Sequence, residues 1–305
     1  MTLGQRFSFT LVAAAWGSTF MWYKLALRDM EPVTILLYRT VLGAVVLGGI
    51  VAWTRPRWRA PLGMWIAVII FGIGNLGLPQ WMILWSQRWV DSGMTSVLLA
   101  TTPLLTLLLA QPFLPNERIT AGRLVALVIG LGGVALLMSR SLRLGQGEAL
   151  TGQLTQLGAA GCFAVTSVLA GRIMGAIEPL ALAAVSAVAS AAFVVLLHAG
   201  LGLAPALPAS GMTWVAVAVL GIGANGIAWA LFVYLLTTVG PTHTQMVSYV
   251  TPLVAVTLGI AVLGEPLHPE LAAGGTCILG ALLLYRQSKS ARLVPSASPS
   301  GNPQD

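Results

Sequence analysis

Residues 179–200 read PLALAAVSAVASAAFVVLLHAG, twenty-two positions without an Asp, Glu, Lys or Arg. A helix of that length, at about 1.5 Å per residue, spans the roughly 30 Å hydrocarbon core of a bilayer. Glu178-Pro179 opens it, and proline suits a first helical turn because its missing N–H would be unbonded there anyway. The same reading carried outward finds further apolar runs at 7–27, 33–53, 62–85, 92–112, 121–139, 150–171, 211–237, 242–263 and 268–285. Breakers separate them: Asp29-Met30-Glu31-Pro32, Arg55-Pro56-Arg57, Pro115-Asn116-Glu117, Leu207-Pro208, Gly240-Pro241 and Glu265-Pro266. The expected fold is all-α, a polytopic membrane protein with ten transmembrane helices.

Composition agrees. Of 305 residues, 57% are apolar and 8% charged, and the mean hydropathy is +0.86. A soluble domain carries about 25% charged residues, so this chain lacks the charge to cover a water-facing surface. The net charge of +7 does not point to nucleic acid, because the basic residues are scattered in small groups between apolar runs, as topology signals are. With the N-terminus inside, Arg6, Arg55, Arg57, Arg59, Arg118, Arg123, Arg172, Arg286, Lys289 and Arg292 face the inner side, and Lys24, Arg28, Arg88, Arg140 and Arg143 the outer. That bias predicts cytoplasmic termini. Cys162 and Cys277 lie inside apolar runs, with neither metal spacing nor a disulfide framework. The polar Pro/Ser-rich stretch 287–305 reads as a disordered tail.

The chain repeats itself. Glu31-Pro32 recurs as Glu178-Pro179 at an offset of 147, and Gly72-Ile73-Gly74 as Gly221-Ile222-Gly223 at 149. Thr102-Pro103-Leu104 recurs as Thr251-Pro252-Leu253 at 149, and Glu117 and Gly132 as Glu265 and Gly280 at 148. The expected units are therefore 1–143 and 144–286. Five helices per unit is an odd number, which places the second unit upside down in the bilayer. Inverted repeats give carriers two matching gates around one midplane site.

Several residues are unusual at membrane depth. Arg39 lies inside the second run, where it has three readings: a partner for a substrate carboxylate, an ion pair with a helix-end acid such as Glu31, or a snorkelling side chain. Asn75, Gln80 and Asn225 can bind substrate or bond across helices. Trp16 matches Phe163 at an offset of 147 and Trp85 matches Tyr234 at 149. Together with Tyr38, Trp81, Trp229 and Tyr249 they form a set of rings within the runs. Ring faces attract other rings and ammonium groups; packing and lipid contact are the alternative roles. Trp53, Trp58, Trp65 and Trp214 sit at run ends, as interfacial belts do. Pro103 and Pro252 each free a carbonyl one turn back, Leu99 and Ser248, beside Thr101, Thr102 and Thr251, which can bond it. A paired gating hinge and a static kink both fit.

Two stretches, 72–77 and 221–226, match the dinucleotide pattern Gly-x-Gly-x-x-Gly. They lie within apolar runs instead of between a strand and a helix, so close helix packing is the better reading. The acids fall at loops, tail or run ends, which predicts transport without an obligatory buried carboxylate relay. An intramembrane enzyme would need paired aspartates, His-Glu-x-x-His or Gly-x-Ser-x-Gly, and the sequence carries none of them. No catalytic residue, metal ligand or cofactor is expected. A membrane assembly subunit is the other competing class, although it has no need of paired mid-span prolines.

At these landmarks the chain resembles the EamA-type two-repeat members of the drug/metabolite transporter superfamily. The resemblance rests on Trp16-Gly17-Ser18-Thr19-Phe20, Arg39, both Thr-Pro-Leu stretches, Glu117, Gly264-Glu265-Pro266 and the Gly-rich fifth and tenth runs. It covers about 1–286 and departs at Asn116, where the second half has Gly264-Glu265-Pro266. The aromatic-rich first half is most similar to the bacterial exporters of aromatic amino acids within that superfamily. The resemblance implies a bacterial inner-membrane carrier with a central cavity lined by runs 1–4 and 6–9, and with runs 5 and 10 as packing helices. Aromatic and other neutral amino acids are the implied solutes, with drug-like amines, nucleosides or polyols as alternatives. The expected substrate-binding set is Trp16, Thr19, Tyr38, Arg39, Asn75, Gln80, Trp85, Thr102, Phe163, Asn225, Trp229 and Tyr249. The expected partners are a small-molecule solute and the lipid bilayer; the oligomeric state is open, with a monomer slightly favoured.

Overall fold

The computed structural model describes residues 1–56, 58–110, 121–173, 176–240, 244 and 246–290. The Pro115-Asn116-Glu117 breaker, Pro241, His243 and residues 291–305 of the expected tail lie outside them. The described residues are helical, with no β-strand among them. The helices are α1 (Leu3–Ala26), α2 (Pro32–Thr54), α5 (Ala121–Arg143), α6 (Gly147–Ile173), α7 (Pro179–Gly200), α9 (Val247–Leu263) and α10 (Pro269–Ser290). Three more are composite: α3 joins Leu62–Gly72, a π-helical segment Ile73–Gly77 and Leu78–Ser86, and α4 joins Ser92–Leu99 to Thr102–Ala110. The third, α8, joins Gly211–Ala218, a π-helical segment Val219–Ile227 and Ala228–Thr238.

Seven of these helices are long and apolar enough to cross a membrane, and two shorter apolar ones, Val247–Leu263 and Pro269–Tyr285, accompany them. Their outward faces carry Val45, Val128, Leu131, Leu196, Val215 and Leu283, all exposed. The bundle interior instead holds Thr34, Arg39, Gln87, Gln156, Ser186 and Asn225. An apolar exterior with polar side chains kept inside marks a polytopic membrane protein, since lipid is the solvent for the outer face.

Local chemistry sets the boundaries. Thr2 and Gln5 form a reciprocal capping box at the start of α1. Pro32 and Pro179 occupy the first turns of α2 and α7. Gly264, at φ +68, ends α9 in the left-handed conformation that glycine adopts without strain.

Both Gly-x-Gly-x-x-Gly stretches coincide with the π-helical segments, and both do bring backbones together. A Cβ at Gly72 would lie 2.5 Å from the Ser186 carbonyl oxygen on α7, and one at Gly221 would lie 2.6 Å from the Leu42 Cβ on α2. The two crossings exchange the halves: α3 of the first packs on α7 of the second, and α8 of the second packs on α2 of the first. Helices α5 and α10 meet through Gly133 and Gly274, each of which faces the other's carbonyl oxygen.

One end of the bundle is tied by polar contacts between the turns. Thr213 Oγ1 donates to Asp29 at 2.6 Å, and Thr34 Oγ1 meets a His198 ring nitrogen at 3.2 Å. Arg143 donates to Glu270 at 2.5 Å. The Glu265 carboxylate reaches across to α4, where it accepts from the Ser92 N–H at 2.9 Å, the Ser92 hydroxyl at 2.6 Å and the Gly93 N–H at 3.3 Å. It takes the capping role that Asp91, the residue in N-cap position, leaves unfilled.

Burial, and then the Glu265 charge, push the Asp91 carboxyl above its ordinary range, with Lys24, His268 and Arg140 opposing. A raised folded-state value means that this group favours the fold below the ordinary carboxylate range and loses that contribution as pH rises through the raised value. Asp91→Asn is therefore expected to raise the melting temperature at pH 7.5 and to flatten its fall between pH 4 and pH 7.5, as read by thermal unfolding in detergent. A lower melting temperature at pH 7.5 would contradict this.

Candidate functional site

The one basic side chain expected well inside a run decides where the site lies. Arg39 is 5% exposed, so it does not snorkel. It has no carboxylate partner among the described residues, and Glu31 is not bonded to it. Its Nη1 donates to the Tyr23 hydroxyl and, at 2.5 Å, to Gln80 Oε1, while the guanidinium lies 5.4 Å from the Tyr23 ring centroid. The Tyr23 hydroxyl donates to the same Gln80 oxygen at 3.0 Å. Arg39 Nε is buried without a hydrogen-bond partner. A guanidinium in low dielectric is costly unless its charge is met, and here only neutral groups and a ring meet it.

A group of rings lies on α1 and α8. Trp16, Trp229 and Phe232 pack with centroid separations of 6.0 Å between the two tryptophans, 4.8 Å for Trp16–Phe232 and 5.7 Å for Trp229–Phe232. The π segment of α8 joins the two groups through consecutive residues. Trp16 Nε1 donates to the Ala224 carbonyl at 3.1 Å, and Asn225 Nδ2 donates to the Arg39 carbonyl at 3.4 Å. A π segment offers carbonyls and side chains at positions a regular helix would not, which is why such segments recur at functional sites. Trp229 Nε1 is buried and unpartnered, as are the hydroxyls of Ser186 and Ser190 on α7. Phe163 packs against the cluster that contains Phe20 and Tyr23.

The other expected residues divide. Asn75 sits on the π segment of α3 and donates to Thr166 Oγ1 at 3.1 Å, a bond across helices. Thr19 is buried on α1 with its hydroxyl on the Ala15 carbonyl at 3.0 Å. Thr102 and Pro103 lie where α4 divides. The Thr102 hydroxyl donates to the Leu99 carbonyl at 2.7 Å, the group that Pro103 leaves unbonded, and Thr101 does the same for Leu98 at 2.6 Å. Pro252 sits instead within the continuous helix α9, so the repeat-related prolines have different local structures. Tyr249 packs with the α4–α5–α10 core.

Two members stand apart from Arg39. The Tyr38 hydroxyl donates to the Ala206 carbonyl at 3.4 Å, in the segment after α7. Trp85 packs edge-on to Trp89 at 4.7 Å, with Arg88 over both rings, at the end of α3.

Tyr23, Ser186 and Phe232 were not in the expected set. Each carried a usable signal. Ser186 lies 147 positions after Arg39, Tyr23 lies one turn after Thr19 and Phe20, and Phe232 lies three residues after Trp229.

Comparison with known proteins gives a consistent picture. The model of the EamA-like transporter family matches residues 7–139 and 150–286. The uncharacterized transporter YoaV of Bacillus subtilis is 25% identical over 280 residues, covering 90% of this chain and 91% of that protein. The uncharacterized inner membrane transporter YedA of Escherichia coli K12 is 28% identical over 283 residues, covering 88% of this chain and 86% of that protein. One solved crystal structure shares the fold with a TM-score of 0.64 at 22% identity, covering 96% of this chain and 100% of that one.

Proposed function

The chain belongs to the EamA-like transporter family, and from that premise we propose that it exports a small amphipathic metabolite, with aromatic and other neutral amino acids the favoured class. The observation that carries the substrate class is the tie between a ring cluster and the helix that bears the buried guanidinium: Ala224 accepts from Trp16, and its neighbour Asn225 donates to the Arg39 backbone carbonyl. Rings suit a flat apolar side chain, and the buried Arg39 guanidinium suits an oxygen-rich head group.

The proposed architecture is ten crossings in two inverted units, 1–143 and 144–286, with both termini cytoplasmic. Three features support it. The π segments, Ile73–Gly77 and Val219–Ile227, overlap the repeat-related glycine stretches 72–77 and 221–226. Gly72 comes closest to Ser186, and Gly221 meets Leu42 and then the carbonyl of Arg39, which stands 147 positions before Ser186. The tied turns follow α1, α3, α5, α7 and α9, as an up-and-down path requires. Alternating access would then arise from rocking of α1–α4 and α6–α9 around the Arg39 site, with Pro103 and Pro252 as the hinge pair and α5 with α10 as support.

Proteoliposomes loaded with labelled phenylalanine or tryptophan test this reading. Efflux above that from protein-free liposomes is expected. Trp229→Ala and Trp16→Ala should each raise the half-saturating concentration roughly tenfold, the worth of a ring contact and its buried area, whereas Trp58→Ala should not. No efflux of either amino acid above the control would reject the substrate class.

A further inference from the structure

Resting on that reading of the site, we infer that the recognised group is the substrate's carboxylate, that Arg39 is its partner, and that the amino group is dispensable. The substrate class narrows to aromatic monocarboxylates, with amino acids as the members that also carry an ammonium, and free amines are rejected.

The donors of Arg39 are only partly used. Nη1 is committed to Tyr23 and Gln80. Those two bonds fix the plane of the guanidinium, and Asn225 holds the backbone of the same residue. Nε is buried with no partner, and no hydrogen bond is made by Nη2 among the described residues. The Nε–Nη2 edge is the side of a guanidinium that receives a carboxylate with two parallel bonds. A fixed fork with its outer edge empty, inside a bundle, is an incomplete ion pair.

Asp29, Glu31, Asp91, Glu148, Glu178, Glu265 and Glu270 all lie at helix ends or in turns, so no described carboxylate stands at the depth of Arg39 to receive an ammonium. Of the other unpartnered buried polar atoms on α7 and α8, Trp229 Nε1 only donates, and the hydroxyls of Ser186 and Ser190 can donate as well as accept. A fixed cation with no carboxylate at its depth attracts an anion and repels a cation. The rings of Trp16, Trp229 and Phe232, held to α8 by the Trp16 bond to Ala224, then receive the aromatic end.

The test is binding to the purified protein in detergent, read by tryptophan fluorescence, with three probes of one skeleton. These are phenylalanine (both groups), 3-phenylpropionate (carboxylate only) and phenylalaninamide (amine only), at pH 7.5. Phenylalanine and 3-phenylpropionate should bind with similar affinity, and phenylalaninamide at least about tenfold more weakly, the ratio for losing hydrogen bonds to a charged group. Arg39→Gln should remove that preference. Arg39→Lys, which keeps the charge and loses the fork, should weaken 3-phenylpropionate by a similar factor; equal melting temperatures would show both variants folded. Phenylalaninamide binding as well as phenylalanine, 3-phenylpropionate failing to bind, or a preference unchanged in both variants would each overturn the inference. The broader reading is judged separately by efflux of phenylalanine, which can succeed while the carboxylate assignment fails.

Discussion

Gly72→Val and Gly221→Val are each expected to leave little folded, active protein. At Gly72 the added Cβ would come within 2.5 Å of the Ser186 carbonyl oxygen and 2.7 Å of its Cα, so the obstacle is the backbone of α7, which cannot rotate away. At Gly221 it would meet the Leu42 Cβ at 2.6 Å, again an atom fixed by its own helix. Overpacking a well-filled core costs about 1–3 kcal/mol where side chains can give, and backbone contact places these two positions at or above the upper end. Separation of α3 from α7, or of α8 from α2, would also move the π segments that carry Asn75, Ala224 and Asn225. Folded yield and thermal unfolding in detergent measure the effect. Gly48→Val and Gly132→Val, where a Cβ would meet nothing within 4 Å, are the controls and should behave like the parent. Parent-like stability of both Gly72→Val and Gly221→Val would show that the crossings are not tight.

Glu265→Ala is the second large effect expected. The carboxylate accepts from two backbone N–H groups and one hydroxyl at the start of α4, so its removal leaves Ser92 and Gly93 with donors turned toward a vacated space. Ser92 is fully buried, so water cannot readily replace the lost acceptor. Hydrogen bonds to a charged group and helix caps each contribute about 1–3 kcal/mol, and the expected loss is about 2 kcal/mol. Glu265→Gln, which keeps one acceptor oxygen, should fall between parent and Glu265→Ala. The effect should appear in thermal unfolding and also as faster labelling of a cysteine at Thr95, one turn into α4, because the contact ties α4 to a turn of the other half. Equal stability of all three proteins would remove the cap from the account.

Much of this was legible in the sequence because lipid imposes simple rules. The uncharged run 179–200 and its companions had to be helices, since a backbone in hydrocarbon must satisfy itself. The glycines at 72 and 221 were readable as close-packing positions for the same reason. The proline rule identified the Leu99 carbonyl as the group left unbonded and the neighbouring threonines as its partners, and Thr102 supplies that bond. The π-helical form of 73–77 and 219–227 was not legible, because an extra residue per turn leaves no periodic trace in a stretch that is apolar on all sides. The Arg39 environment was equally hidden. Spacing along α2 cannot say that Tyr23 of α1 and Gln80 of α3 converge on one guanidinium nitrogen, and the three readings of Arg39 could be separated only by their packing. Tyr38 and Trp85 lie within runs, yet their partners, Ala206 and Trp89, sit in or near turns, which sequence position alone does not reveal.

The central claim is that one site, at Arg39, is reached from each face of the membrane in turn, and Thr19, one turn before Tyr23 on α1, is placed to report on it. Two-sided labelling tests it most directly. A cysteine at Thr19, with Cys162 and Cys277 replaced by serine, would be exposed to a membrane-impermeant thiol reagent in sealed right-side-out and inside-out vesicles. The account predicts labelling from both sides, slowed on both by phenylalanine. Labelling from one side alone, or from neither, would contradict it.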